Sequence, residues 1–283
     1  MRFALRGVSH PLHIQELFAP VFIGLKPYLF GKKGHNQSLM TIPALILAAG
    51  RGQRMRPLTD STPKPLLKVR GQALIDWHIR ALAAGGFTRL IINTDWLGEQ
   101  FSPYLLNQID LQPNSYGFKP LLISYSNEGV DFGAALETAG GVARALPYLG
   151  NVFWVLAGDV FTPGFAFTQA AVERFTTSGK LAHIWLVPNP PHNVKGDFGI
   201  AADGLALNLP AGSQQPRYTF SSIALYRKAF FDALPFGNPQ GVKAPLAPLL
   251  RAAMDNCQVS AELYTGKWTD VGTPERLAEL NRT

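Results

Sequence analysis

Leu47-Ala48-Ala49-Gly50-Arg51-Gly52-Gln53-Arg54-Met55-Arg56-Pro57-Leu58-Thr59, followed closely by Pro63-Lys64-Pro65-Leu66, decides how the rest of this chain is read. The apolar run at 44–47 is short and leads to Gly50, as a buried strand does on entering a loop. In open α/β sheets, ligands bind at such strand ends. Small side chains at Ala48, Ala49, Gly50 and Gly52 let backbone amides come close to phosphate oxygens. Arg54 and Lys64 add positive charge, the first as a planar fork and the second as a compact point charge. The stretch is not a Walker A loop, because no terminal Gly-Lys-Ser/Thr closes it, and it is not the G-x-G-x-x-G of dinucleotide sites. Its glycines alone would equally fit an ordinary strand-to-helix turn. The Arg-Met-Arg-Pro-Leu-Thr and Pro-Lys-Pro-Leu elements set it apart.

Outward from this loop, strand and helix patterns alternate. Residues 72–86 predict a helix with Ile75, Ile79 and Leu82 on one face and Gly85-Gly86 closing it. Strands are expected at 90–92, 121–125, 152–156 and 181–187, with helices at 97–106, 137–146 and 165–177 between them. The run at 152–156 is almost wholly apolar, as in a strand covered on both faces. Segments 197–201 and 205–209 flank Asp203-Gly204, a hairpin signal. A strand at 218–226, a helix at 246–255, a strand at 259–264 and a helix from Pro274 complete the chain. Alternating units imply an α/β, Rossmann-like three-layer fold with a mostly parallel, mixed sheet.

At 283 residues, 47% of them apolar, the chain can build one large core. The single cysteine, Cys257, excludes an internal disulfide and a cysteine zinc site, and suggests a reducing compartment. The net charge of +7 is uneven. Arg2, Arg6, Lys26, Lys32 and Lys33 face only Glu16 before Met40, leaving a mildly basic body. No dense basic run interleaved with aromatics points to nucleic acid. No apolar stretch is long enough to span a bilayer, and 17–29 is interrupted by Pro20, Gly24, Lys26 and Pro27. The expectation is a cytoplasmic domain over 40–283, with 1–39 as an extension of unknown role or sequence upstream of a start at Met40. The oligomeric state stays open; a monomer is compatible.

Two aspartates follow strand ends: Asp159 in Ala157-Gly158-Asp159-Val160, and Asp270 in Trp268-Thr269-Asp270-Val271-Gly272-Thr273. Either alone would fit a capping role. Together they offer the hard oxygens that Mg²⁺ takes alongside substrate phosphates. Leu136-Glu137-Thr138-Ala139-Gly140-Gly141 opens a helix with small residues, suited to tight packing or to a flat base lying against backbone. Ser126-Asn127-Glu128, Gly196-Asp197-Phe198-Gly199 and Thr219-Phe220-Ser221-Ser222 read equally as loop or hairpin chemistry. His78 and His183 fall in regular elements and are expected to be structural. His192 sits in a Pro-rich loop.

The quoted loop resembles the sugar-1-phosphate nucleotidyltransferase family, whose hallmark is L-A-A-G-x-G-x-R-[ML]-x-P-L-T with a following P-K-P lysine. The likeness runs from about Pro43 to the C-terminus and implies the nucleotide-diphospho-sugar transferase type of fold. It implies that Ala48, Ala49, Gly50, Gly52, Gln53 and Arg54 hold nucleotide phosphates, with Arg54 and Lys64 acting in catalysis. It further implies Thr138, Ala139, Gly140 and Asp159 at the nucleotide and Asp159 and Asp270 on Mg²⁺. Glu128, Glu137, Gly196, Asp197 and Ser222 would lie at the sugar. The combination E-T-x-G-G, G-D-F, T-F-S and W-x-D-V-G-T is similar to the branch that joins UTP to N-acetylmuramate 1-phosphate in bacterial cell-wall recycling. Guanylyl or thymidylyl transfer to mannose or glucose 1-phosphate, or a silent nucleotide-sugar-binding regulator, are the alternatives. Ala157 departs from the family, which often has Asn there.

Overall fold

Five residues in a row without a polar side chain, Ala44–Ala48, form strand β1 near the middle of a seven-stranded sheet. Alternation sends Ala44, Ile46 and Ala48 to one face and Leu45 and Leu47 to the other, and each face is packed. This is a computed structural model that describes residues 42–108 and 121–282; the leading unit of 1–39 lies outside the described residues. The other strands are β2 Arg89–Thr94, β3 Leu122–Asn127, β4 Val152–Ala157, β5 Ala182–Val187, β6 Thr219–Arg227 and β7 Val259–Leu263. Their order is β7-β5-β6-β4-β1-β2-β3. β1 pairs in parallel with β2 and β4, while β6 runs antiparallel to β4 and β5. The C-terminal ends of β1 and β4 therefore open side by side, where ligands gather in such sheets.

The helices are α1 Leu74–Ala84, α2 Phe101–Gln108, α3 Glu128–Phe132, α4 Glu137–Ala145, α5 Gln169–Thr177, α6 Leu246–Asp255 and α7 Pro274–Arg282. α1 starts two residues later than its sequence pattern suggests, because Gln72–Ala73 pairs instead with Lys68–Val69 in a small hairpin. Ile75, Ile79 and Leu82 are buried as expected. The helix expected from 165 begins at Gln169, where the Thr168 hydroxyl accepts the Ala171 amide at 3.1 Å. Phe165 and Phe167 are drawn into the core instead, with ring centroids 5.4 Å from Trp185 and 5.0 Å from Trp154. Asp203-Gly204 turns a short hairpin of Gly199–Ile200 against Ala206–Leu207. A further pairing, Val160–Phe161 with Thr269–Asp270, is not apparent from sequence. Among the described residues no helix is long and apolar enough to cross a membrane.

His78 on α1 is buried, with Nε2 2.8 Å from the Val160 carbonyl oxygen. Burial pushes its imidazole down to about 4, against the opposing pull of that carbonyl and of Asp159. His183 is likewise lowered to about 4, by burial and then by Arg174. The unfolded chain takes up these protons near pH 6.5, so between pH 6.5 and 4 it binds more protons than the fold does. Stability therefore falls on acidification across that window, by about 1.4 kcal/mol per pH unit for each group. Urea midpoints should decline from pH 6.5 to 5, and His78→Gln should flatten the decline; an unaltered slope would contradict the assignment.

Candidate active site

The loop after β1 is a succession of 3-10 turns at Gln53–Met55, Leu58–Asp60 and Lys64–Leu66. Gly52 precedes the first with φ +60, and a Cβ there would lie 2.9 Å from Thr59 Cγ2. The Thr59 hydroxyl donates to the Gly52 carbonyl at 2.8 Å, and Trp96 Nε1 donates to the Thr59 carbonyl at 2.8 Å. Fully buried Met55 anchors the turn from below. These contacts hold the loop in shape. It walls a cleft of about 860 Å³ that Ala48, Ala49, Gly50, Gly52, Gln53, Arg54 and Lys64 all line. Arg54 is exposed and has no ion-pair partner among the described residues, whereas Arg51 lies 3.9 Å from Asp95.

Lys64 is buried and meets Asp159 Oδ2 at 2.5 Å. The Val271 amide donates to the Asp159 carbonyl at 3.0 Å, so the Val160–Phe161 bridge sets Asp159 and Asp270 beside one another. Asp270 Oδ1 receives Arg276 Nη1 at 2.5 Å and His192 Nε2 at 2.7 Å. His192 therefore stands at this carboxylate, a neighbour that its loop position did not announce. Asp159 Oδ1 and Asp270 Oδ2 accept no hydrogen bond among the described residues. Two adjacent carboxylates, each with one free oxygen, suit a hard cation that keeps waters and shares substrate phosphates. Among the described residues no group of three or more acidic, His or Cys side chains could enclose a metal by itself.

Across the cleft stand Glu128, Glu137 and Thr138. Glu128 is buried; Asn93 Nδ2 donates to its Oε1, and the Leu136 amide donates to its Oε2 at 2.6 Å. Burial raises its carboxyl above the usual range, and those two hydrogen bonds draw it partly back. It thus holds the start of α4 against the end of β2 and lines this cleft. Ala139 and Gly140 do not line the cleft; both of their amides donate to the Ala244 carbonyl, at 2.9 and 3.1 Å. Their small size serves the close approach of α4 to the segment before α6, where a Cβ on Gly140 would lie 2.6 Å from the Val242 carbonyl oxygen.

A second slot of about 550 Å³ shares Leu47, Glu137, Thr138 and Ala157 with the first. Asp197 and Ser222 line it, while Gly196, with φ +61, is packed behind against Arg217. Asp197 Oδ2 accepts the Phe220 amide at 2.8 Å. The ladder between β6 and β5 slips between Phe220 and Ala224, and Ser222 there has φ +63. Glu137 has φ +61. Non-glycine residues held in this region store strain; Glu137 lines both clefts and Ser222 the second slot. Arg251 and Tyr226 also line the slot. Neither was found from sequence; the signal available for Arg251 was its place next to Leu250, itself one turn from Leu246, on the helix expected at 246–255.

Glu128→Ala would leave the Leu136 amide and Asn93 unpaired in the interior, at about 1–3 kcal/mol for each. Urea unfolding should register that loss, and Glu128→Gln should recover part of it. An Ala variant as stable as the parent would contradict the bracing role.

Comparison with known proteins follows the same lines. The nucleotidyl transferase family profile matches residues 43–283. The chain is 45% identical over 248 residues to the N-acetylmuramate alpha-1-phosphate uridylyltransferase of Neisseria meningitidis, covering 83% of this chain and 95% of that protein. A protein of the same name from Caulobacter vibrioides is 28% identical over 240 residues, covering 82% and 92%. Among solved structures, one from Bacillus anthracis provisionally identified as a glucose-1-phosphate thymidylyltransferase superposes with TM-score 0.66 at 20% identity, covering 85% of this chain and 94% of that one. At that identity the likeness speaks for the fold alone.

Proposed function

The chain belongs to the nucleotidyl transferase family, and on that premise we propose that it transfers UMP from UTP to N-acetylmuramate 1-phosphate, yielding the UDP-sugar and pyrophosphate. The 45% identity to a uridylyltransferase of that specificity carries the choice of substrates. The cleft supports the reaction class. Arg54 and the amides of residues 48–53 would hold the β- and γ-phosphates. Buried Lys64, already facing Asp159, would offset charge that builds around the α-phosphorus. Asp159 and Asp270 would hold Mg²⁺, which when bound supplies charge neutralisation for the triphosphate.

The sugar phosphate, seated toward the second slot near Glu137, Asp197 and Ser222, would present an oxygen in line with the α-phosphorus. The new bond forms from that oxygen, and the bond to the β-phosphate oxygen breaks as pyrophosphate leaves. No covalent enzyme intermediate is required; positioning and charge do the work. These substrates suit a cytoplasmic location. Peptidoglycan recycling is the process that the acceptor implies.

Purified protein with Mg²⁺ should release pyrophosphate with UTP and N-acetylmuramate 1-phosphate, and much less with GTP or dTTP against mannose or glucose 1-phosphate. Failure to release pyrophosphate with any sugar 1-phosphate would overturn the proposal. UDP-sugar binding without turnover would favour a regulatory protein. Chelation by EDTA should abolish release and added Mg²⁺ restore it. Asp270→Ala should lower kcat by at least about 100-fold, the scale of losing one charge-stabilising group, with urea stability retained. Unchanged turnover would remove Asp270 from the metal site.

A further inference from the structure

Beyond the junction of the two clefts, the slot carries a cation for which the UMP-transfer scheme has no use. Arg251 reaches it from α6, half-buried, with its guanidinium carbon 5.1 Å over the Phe198 ring. Nη1 donates to Asn208 Oδ1 at 2.6 Å. No carboxylate lies within ion-pairing distance of Arg251 among the described residues, and no partner there takes its other N–H groups. Among the described residues Arg251 is also the only basic residue in the slot's lining. The two acids of that lining are differently placed: Asp197 has both oxygens engaged, by Asn193 and the Phe220 amide, and Glu137 is exposed at the start of α4.

Around Arg251 the surface is apolar, made by Leu246, Ala247 and Leu250 of α6 and by Ala224 of β6. Tyr226, fully buried, also lines the slot, and its hydroxyl has no hydrogen-bond partner. A partly desolvated guanidinium without a counter-charge costs the fold stability. It is also well shaped to receive a carboxylate through two parallel hydrogen bonds.

We infer that Arg251 recognises a carboxylate borne by the acceptor sugar at a position away from its 1-phosphate, making it the residue that selects an acidic sugar 1-phosphate. This rests on the UMP-transfer proposal and sharpens it. N-acetylmuramate 1-phosphate has the required group, a lactyl ether with one methyl and one carboxylate. The methyl meets the apolar wall, and the carboxylate meets the guanidinium. N-acetylglucosamine 1-phosphate is the same sugar without that ether.

The test is steady-state kinetics with UTP and three acceptors: N-acetylmuramate 1-phosphate, its neutral lactyl carboxamide, and N-acetylglucosamine 1-phosphate. A hydrogen-bonded charge pair corresponds to a factor of about 10–100 in affinity. The parent enzyme should therefore show kcat/KM lower by about 10–100-fold for the carboxamide, mainly through KM. Arg251→Met keeps an unbranched stem over Phe198 but removes the charge, and should bring the acid-to-amide ratio toward one; Arg251→Lys should keep an intermediate ratio. Equal KM for acid and amide in the parent enzyme, or an unaltered ratio in Arg251→Met, would overturn the inference while leaving UMP transfer standing. No turnover of any sugar 1-phosphate would overturn UMP transfer, and this inference with it.

Discussion

Lys64 Nζ meets Asp159 Oδ2 at 2.5 Å, and much of the cleft is arranged around that contact. The lysine comes from the loop after β1 and the aspartate from the turn after β4, the parallel neighbour of β1. A buried ammonium left alone would be expensive, so the pair ties the far end of the loop to the end of β4. The Asp159 carbonyl then receives the Val271 amide and draws Asp270 alongside. Three segments remote in sequence are joined at one point. The two carboxylates end beside a loop that still has Arg54 unpaired. On the proposed function, phosphates would bring negative charge to Arg54 and Lys64, and a metal would bring positive charge to the free aspartate oxygens.

From that point the cleft extends in two directions along the strand ends. Toward β2 it is firm, because Glu128 clamps the start of α4 to Asn93 and Trp96 pins the loop through Thr59. Toward β6 it crosses two strained residues, Glu137 and Ser222, and becomes an apolar slot. At Ser222 the neighbouring residue is held on both sides. Trp268 Nε1 donates to the Ser221 carbonyl at 3.0 Å, and Ser221 Oγ donates to the Trp185 carbonyl at 2.6 Å. The two neighbouring compartments are thus differently built, the first lined by Arg51, Arg54 and Lys64 and the second largely apolar.

The loop and the alternating strands were readable in the sequence because their signals are local. An apolar run at 152–156, small residues at 48–50 and 52, and a Pro-Lys-Pro each declare themselves within a few residues. What depended on distance was not readable. Asp159 and Asp270 converge through a two-residue bridge between segments far apart in the chain. Ser126-Asn127-Glu128 read equally as loop or hairpin chemistry, and nothing local showed that the two oxygens of Glu128 are satisfied from β2 and from the α4 start. The small residues Ala139 and Gly140 fitted tight packing or a flat base equally, and the close approach of the backbone at Val242 and Ala244 depends on a segment remote in the chain. Phe165 and Phe167 fitted a helical pattern until the aromatic cluster at Trp154 claimed them.

The claim that matters most is that this cleft moves a uridylyl group. UTP labelled at its α-phosphorus, incubated with Mg²⁺ and N-acetylmuramate 1-phosphate, follows that group directly. Label appearing in the UDP-sugar, with an equal amount of unlabelled pyrophosphate, is the predicted result. Label remaining in UTP, or released as free UMP, would contradict the account.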